Sequence, residues 1–182
     1  GQQGGKAVAE VLFGDYNPAG KLPVTFYRNV SQLPDFEDYN MTGRTYRYMQ
    51  DVPLFPFGYG LSYTTFGYGK TVLDKNELTA GQSLKLTVPV TNTGKCNGEE
   101  VVQVYLRKQG DAEGPIKTLR AFKRVSIPAG KTVNVEFDLK DKELEWWDDQ
   151  SNTVRVCPGN YDIMVGGSSK EEDLQRTTIA IK

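Results

Sequence analysis

Carboxylates and indole rings meet in one short segment, Glu145-Trp146-Trp147-Asp148-Asp149. Two carboxylates can act as general acid and base, and Trp rings can form a platform on which a sugar stacks. Side chains that are adjacent in sequence diverge, however, whereas two catalytic carboxylates usually converge from separate elements. We therefore predict that this segment is structural, with one Trp in the core and the carboxylates in solvent.

A second segment combines planar cations with phenol rings, in Arg44, Tyr46, Arg47 and Tyr48. Guanidinium forks and Tyr rings suit hydroxyl-rich sugar surfaces, and the surrounding loop-rich stretch is where binding residues concentrate. The alternative is that Tyr46 and Tyr48 pack inside while the Arg side chains bind backbone carbonyls. Both interpretations stay open, and these four residues are the candidate substrate-binding residues.

Several kinds of chemistry are excluded by composition, since the 182 residues include no His. Ser-His-Asp and Cys-His catalysis and histidine metal sites all need that residue. The glycine-rich start, Gly1–Gly5, lacks the Lys-Ser/Thr ending of a phosphate-binding loop, so we expect close helix packing there. Cys96 and Cys157 lack metal-ligand spacing, and the sequence leaves open whether they form a disulfide.

Charge and hydropathy limit the partners. Lys and Arg total 22 against 23 Asp and Glu, for a net charge of -1. This balance gives no electrostatic basis for binding nucleic acid or an anionic membrane. No stretch approaches the roughly 20 apolar residues of a membrane helix. Because the chain starts at Gly1 without Met, we expect it to be a piece of a longer protein.

The first third of the chain has the pattern of a helix followed by irregular structure. Apolar residues on one face predict a helix over 2–13, which Gly14 and Pro18 end. Short strands are expected at 22–26, at a sheet edge because of Pro23, and at 46–49. This is too little to close a core alone, so we expect residues 1–66 to be the end of an α/β domain with its linker.

The rest of the chain predicts an all-β domain over residues 67–182. Apolar and polar residues alternate in runs separated by turn signals such as Asn92-Thr93-Gly94 and Pro128-Ala129-Gly130. The clearest runs are 84–90, 102–106, 119–125, 133–139, 161–165 and 177–181. Together with the spacing of the turns, they predict a domain of about seven strands. The fold class is therefore mainly β: an immunoglobulin or fibronectin type III-like β-sandwich, preceded by a helix and short strands from the end of an α/β domain.

Aromatic residues are dense where the two parts meet, at Phe55, Phe57, Tyr59, Tyr63 and Phe66. Such a run could be a carbohydrate platform. Pro and Gly fix its path, however, and each ring can bury a large area. We therefore predict that it packs the two domains together, so that loss of Phe57 would lower stability rather than sugar affinity.

Two blocks resemble glycoside hydrolase family 3. Residues 4–26 (GKAVAEVLFGDYNPAGKLPVTF after Gly4) resemble the end of the family's second, α/β-sandwich domain, and residues 56–66 (PFGYGLSYTTF) resemble its link into the third domain. The remainder is similar to the fibronectin type III-like third domain, through pieces such as 98–105 and 158–161. Residues 33–39 and 43–48 look most like the β-xylosidase or β-glucosidase members.

The resemblance implies that the parent protein is a retaining β-glycosidase, in which one carboxylate attacks the anomeric carbon and another protonates the leaving oxygen. The nucleophilic Asp of the family lies in an N-terminal barrel and the acid/base Glu in the second domain, so no catalytic residue is expected here. This chemistry needs no cofactor or metal. The implied partners are an oligosaccharide or aryl β-glycoside and the catalytic domains on which this part packs, in a periplasmic or extracellular compartment. The alternative is a carbohydrate-binding or protein-interaction module without hydrolytic activity.

Overall fold

The computed structural model describes residues 1–182, and its largest part is a β-sandwich. Two sheets face each other across an apolar core, and a short two-stranded ribbon lies beside them. The strands are β1 (Phe66–Tyr68), β2 (Val72–Leu73), β3 (Glu77–Leu78), β4 (Leu84–Asn92), β5 (Gly98–Lys108), β6 (Thr118–Ile127), β7 (Thr132–Leu139), β8 (Trp146–Asp148), β9 (Thr153–Arg155), β10 (Gly159–Gly166) and β11 (Gln175–Ile181). The predicted β-sandwich is confirmed.

Strand pairing is antiparallel throughout, with one exception. In the first sheet β4 pairs with β7 on one side and with both β1 and β2 on the other. The second sheet has the order β3-β11-β10-β5-β6, in which only β3 and β11 run parallel. Strands β8 and β9 form the ribbon, which places Trp147 opposite Val154.

Alternation in the sequence explains why these strands form a sandwich. Along β4 the residues Leu84, Leu86, Val88 and Val90 are buried, while the residues between them are exposed or half-buried. Every second side chain of a strand faces the same side of its sheet, so β4 presents one apolar face inward. Strands β5, β7, β10 and β11 supply most of the remaining residues of the same core.

Helices are few and short. The first, α1 (Gly4–Phe13), ends where Gly14 adopts a left-handed conformation (φ 83°) and donates its N–H to the Val11 carbonyl. The others are single turns, α2 (Thr45–Tyr48) and α3 (Asp141–Leu144), with 3-10 turns at Val30–Gln32 and Glu171–Asp173. None of these helices has the length and apolar character needed to cross a membrane.

Both short strands predicted in the first third of the chain are wrong. Residues 22–26 contribute only one isolated bridge, between Phe26 and Phe55, because Pro23 has no N–H and the flanking backbone bonds to an irregular segment. Residues 46–48 are helical rather than extended, and only Met49, which follows the turn, has an extended backbone. So short an alternation of apolar and polar residues fits the period of a helix as well as that of a strand. Thr45, with φ 55°, redirects the chain at the start of α2.

Residues 1–63 have almost no interior of their own, since only Ala19, Met49 and Gly58 are buried. They are fixed to the sandwich along a seam, defined here by Phe57 and Tyr46 on one side and Tyr105 and Gln103 on the other. The Tyr46 ring stacks on Phe57 with centroids 4.2 Å apart and meets Tyr105 edge-on at 5.9 Å. The Gln103 amide donates to the Gly58 carbonyl at 3.2 Å.

Candidate functional site

The four candidate binding residues divide into two pairs. The Arg44 Nε donates to the Asn40 carbonyl at 2.8 Å, and another of its nitrogens donates to the Asp38 carbonyl. The Tyr46 hydroxyl accepts the Leu119 N–H at 3.1 Å while its ring lies in the seam. Both side chains therefore hold the local chain in place, whereas Arg47 and Tyr48 line an open cleft.

This cleft brings together two segments that lie about a hundred residues apart in the sequence. The cleft is lined by Arg47 and Tyr48 of α2, by Arg120 of β6, and by Trp146 and Trp147 of β8. The cavity measures about 290 Å³. Its other walls are Asp149 and the loop between β5 and β6, through Asp111, Glu113, Gly114 and Pro115.

The two guanidinium groups of the cleft belong to no ion pair of the structure. The Arg47 side chain makes no hydrogen bond, and its Cζ lies 5.6 Å from the centre of the Tyr48 ring. The Arg120 Cζ lies 5.5 Å from the Trp146 ring, and one terminal nitrogen donates to the Glu145 carbonyl at 2.6 Å. Burial, followed by the positive charge of Arg47, lowers the pKa of Arg120 below its ordinary value.

The two Trp residues have different roles, as the sequence predicts. Trp146 is buried in the core, where its Nε1 donates to Asp111 Oδ2 at 2.6 Å. Trp147 is 50% exposed, and its Nε1 donates to Asp149 Oδ1 at 2.7 Å. The prediction of one core Trp is therefore confirmed, and the other ring forms an exposed wall of the cleft.

The carboxylates of this segment do not form an acid/base pair. Asp148 accepts hydrogen bonds from Ser151 Oγ at 2.5 Å and from Arg155 Nε at 2.7 Å. These donors lower its pKa to about 2, so the carboxylate stays ionised and remains hydrogen-bonded to Ser151 and Arg155. No group of three or more acidic or cysteine side chains is placed to hold a metal ion. The chemistry available to the cleft is binding rather than proton transfer.

Sequence reasoning missed Arg120 and Asp111 as members of the cleft. Arg120 lies in the strand run Leu119-Arg120-Ala121-Phe122, where an Arg among apolar residues is the only signal. Asp111 belongs to a polar loop without a motif. Both cysteines are free, Cys96 exposed and Cys157 buried, which resolves the open question of a disulfide.

A larger groove of about 510 Å³ runs beside the seam. Its charged and phenolic groups bind one another: Lys21 Nζ lies 3.1 Å from Glu100 Oε1, which also accepts the Tyr68 hydroxyl at 2.9 Å. Burial, and then the Glu100 charge, raises the pKa of Tyr68. Because these groups are already each other's hydrogen-bond and ion-pair partners, we interpret the groove as part of the contact between residues 1–63 and the sandwich.

Two family descriptions match separate parts of the chain. Residues 1–63 match the glycosyl hydrolase family 3 C-terminal domain, and residues 100–169 match a fibronectin type III-like domain. The first match ends just before β1, and the second lies within the sandwich.

Curated relatives align along essentially the whole chain. A xylan 1,4-β-xylosidase of Xylanibacter ruminicola is 54% identical over 181 residues, which are 100% of this chain and 21% of that protein. A periplasmic β-glucosidase of Salmonella typhimurium is 37% identical and aligns with 93% of this chain, or 24% of its own length. The chain therefore spans about a fifth to a quarter of the relatives that it matches.

Solved structures also align with nearly the whole chain. A β-glucosidase from Erythrobacter marinus is 41% identical, with a TM-score of 0.83 over 98% of this chain and 24% of that one. A β-glucosidase from Listeria innocua in complex with glucose is 31% identical, with a TM-score of 0.79 over 97% of this chain and 26% of that one. The arrangement of helix α1, seam and sandwich is thus shared with segments of known glycosidases.

Proposed function

The chain belongs to glycoside hydrolase family 3 as a non-catalytic C-terminal region, and we propose that the complete protein is a retaining β-glycosidase. Its substrates would be β-xylosides or β-glucosides, the two activities named among the relatives. In this proposal the nucleophile and the acid/base lie outside residues 1–182, and two carboxylates carry the reaction without a cofactor.

Within that enzyme, this region would pack the catalytic domains, with residues 1–66 as the end of an α/β domain and residues 67–182 as the sandwich. The observation that carries this role is the two-sided character of residues 1–63. One side is fixed to the sandwich by the seam, while the other exposes large apolar side chains. On α1 these include Val8 (59% exposed), Leu12 (72%) and Phe13 (84%). A helix with such an apolar face buries it against another element.

Two finer assignments accompany this proposal. Arg47 and Tyr48 would contact an outer sugar at the substrate rim, since their side chains line a cleft, while Arg44 and Tyr46 would hold that loop in position. A periplasmic or extracellular compartment is supported by the periplasmic β-glucosidase among the relatives. The alternative, a binding module without hydrolysis, would not require the exposed apolar face of α1.

The test is hydrolysis of aryl β-xylosides and aryl β-glucosides by the complete protein. We expect kcat/KM to be at least tenfold higher for one of the two series than for matched aryl α-glycosides. The double substitution Glu145→Ala, Asp148→Ala should leave kcat within about threefold, because neither carboxylate is placed for proton transfer. Absence of hydrolysis would refute the activity, and loss of turnover by orders of magnitude in the double variant would refute the non-catalytic role.

A further inference from the structure

We propose that the cleft lined by Arg47, Tyr48, Arg120 and Trp147 binds the carboxylate of a uronic acid, and so recognises an acidic sugar in an oligosaccharide. This inference rests on the proposed sugar contact at Arg47 and Tyr48. It goes further by naming the class of sugar and by assigning Arg120 and Trp147 to the same site.

The first step of the argument is charge. Arg47 and Arg120 are close enough for the charge of one to lower the pKa of the other, yet neither belongs to any ion pair of the structure. The Nε of each is buried without a hydrogen-bond partner. Two neighbouring, partly desolvated guanidinium groups repel each other, and an anion between them would relieve the repulsion. The planar forks match a carboxylate in geometry as well as in charge.

The acidic residues around the cleft form no ion pair with either Arg, and the charge of Glu145 only partly offsets the lowering of the Arg120 pKa. Asp111 uses one oxygen for the Trp146 indole and the other for the Gly114 N–H at 2.8 Å. Asp149 accepts the Trp147 indole and thereby fixes the orientation of that ring. These carboxylates hold the walls of the cleft. The exposed Glu113 at its edge can accept hydrogen bonds from sugar hydroxyls.

Size and wall chemistry indicate a sugar rather than a small inorganic anion. The cleft, at about 290 Å³, is close to the roughly 300 Å³ lower limit of small-molecule sites and suits a single sugar unit. Its aromatic lining includes the half-exposed Trp147 together with Tyr48. An aromatic ring beside two guanidinium groups without an ion-pair partner fits a pyranose ring that carries a carboxylate.

The experiment compares two probes that differ only in that carboxylate. Methyl α-D-glucuronide and methyl α-D-glucoside are titrated into the complete protein, with binding followed by saturation-transfer NMR. We expect saturable binding of the glucuronide, at least tenfold tighter than that of the glucoside, and weaker in 0.5 M NaCl. Equal affinity for the two sugars, or no saturable binding of the glucuronide, would overturn the proposal. Sodium acetate as a third probe identifies a plain anion site, which would also overturn it if acetate bound as tightly.

Substitutions locate the binding. Arg47→Met removes a guanidinium that makes no hydrogen bond, and we expect it to weaken glucuronide binding at least tenfold. Arg107→Met is the matched control, because Arg107 lies on β5, belongs to no ion pair and does not line the cleft. If Arg47→Met fails to fold, Trp147→Ala on the exposed ring gives the same test. Unchanged binding in Trp147→Ala or in a folded Arg47→Met variant would refute the assignment.

Failure of this inference and failure of the proposed activity give different results. The titration measures binding alone, so a protein that binds glucuronide through Arg47 without hydrolysing aryl glycosides would uphold the site and refute the enzyme. A protein that hydrolyses aryl glycosides but binds both methyl glycosides equally would uphold the enzyme and refute the uronate site.

Discussion

At the scale of single residues, the most consequential group outside the cleft is the Glu100 carboxylate. Its side chain is only 7% exposed, and it is matched by Lys21, which is 18% exposed, and by the Tyr68 hydroxyl. A buried charge is tolerated when partners replace the water that it has lost. Because Lys21 belongs to the first third of the chain and Glu100 to β5, the pair ties the two halves together.

Removing the cation of this pair should therefore be costly. We expect Lys21→Met to lower the free energy of unfolding by about 2 kcal/mol, somewhat less than the 3–5 kcal/mol of a fully buried pair, since Lys21 keeps some contact with water. Urea denaturation of the complete protein, followed by a probe in the sandwich, measures the change.

The matched control for that measurement is Lys6→Met. Lys6 pairs with Glu10 on the surface of α1, where the two side chains are 71% and 41% exposed. Exposed pairs contribute about 0–1 kcal/mol, so this variant should unfold almost like the parent. Equal losses in the two variants would contradict the role assigned to the Lys21–Glu100 pair.

At the scale of elements, the seam depends on how closely segment 54–60 approaches β5. Gly58 has φ 78°, and a Cβ at this position would overlap the side chain of Gln103. Glycine is therefore required twice, for the left-handed backbone and for the space. Gly58 therefore lets the neighbouring Phe57 approach the sandwich. Because Tyr46 of α2 stacks on Phe57, the position of α2 depends on that close approach.

Two glycine substitutions separate the contributions of backbone and space. Gly43→Ala has a similar φ of 73° but meets open space, so we expect it to cost only the left-handed strain of about 1 kcal/mol. Gly58→Ala adds the clash with Gln103 and should cost about 3 kcal/mol. Thermal or urea denaturation measures both variants. Similar losses of stability would show that the Gln103 side chain moves aside easily and that the seam is loosely packed.

Sequence patterns predicted elements far better than they predicted the site. Strands such as β4 and β7 were recoverable because one face of each is buried, which imposes strict alternation. The turn α2 was not, because the alternating Tyr46-Arg47-Tyr48 also fits a strand and its conformation depends on packing against Phe57. The two halves of the cleft were each noticed in the sequence. Their meeting was not predictable, since it depends on how segments about a hundred residues apart are brought together by the sandwich.

At the scale of the whole molecule, stability is distributed unequally. All twenty residues of the apolar core cluster lie between Leu78 and Ile181, and β1 adds Phe66 and Tyr68 against it. Residues 1–63 contribute contacts at the seam but no core. The sandwich should therefore be a folding unit, and residues 1–63 should need their neighbours.

Separate expression of the two parts tests this division. We expect residues 64–182 to fold with one cooperative urea transition and a native near-ultraviolet circular dichroism spectrum, because the segment contains both sheets complete. Residues 1–63 alone should show neither feature. A cooperative transition in 1–63, or its absence in 64–182, would contradict the division into a self-sufficient sandwich and a dependent N-terminal part.

The seam also bears on how this chain can be recombined with its relatives. Its contacts are specific: Gln103 of the sandwich bonds to Gly58, and Tyr105 meets Tyr46. A chimaera joined at residues 63–66 would place a sandwich from another protein against Tyr46, Phe57 and Gly58. The side chains on the two sides of the seam would then come from different proteins. A crossover placed upstream of α1 would transfer both surfaces as one cassette, so the useful exchange point between related chains lies before α1 rather than between residues 63 and 66.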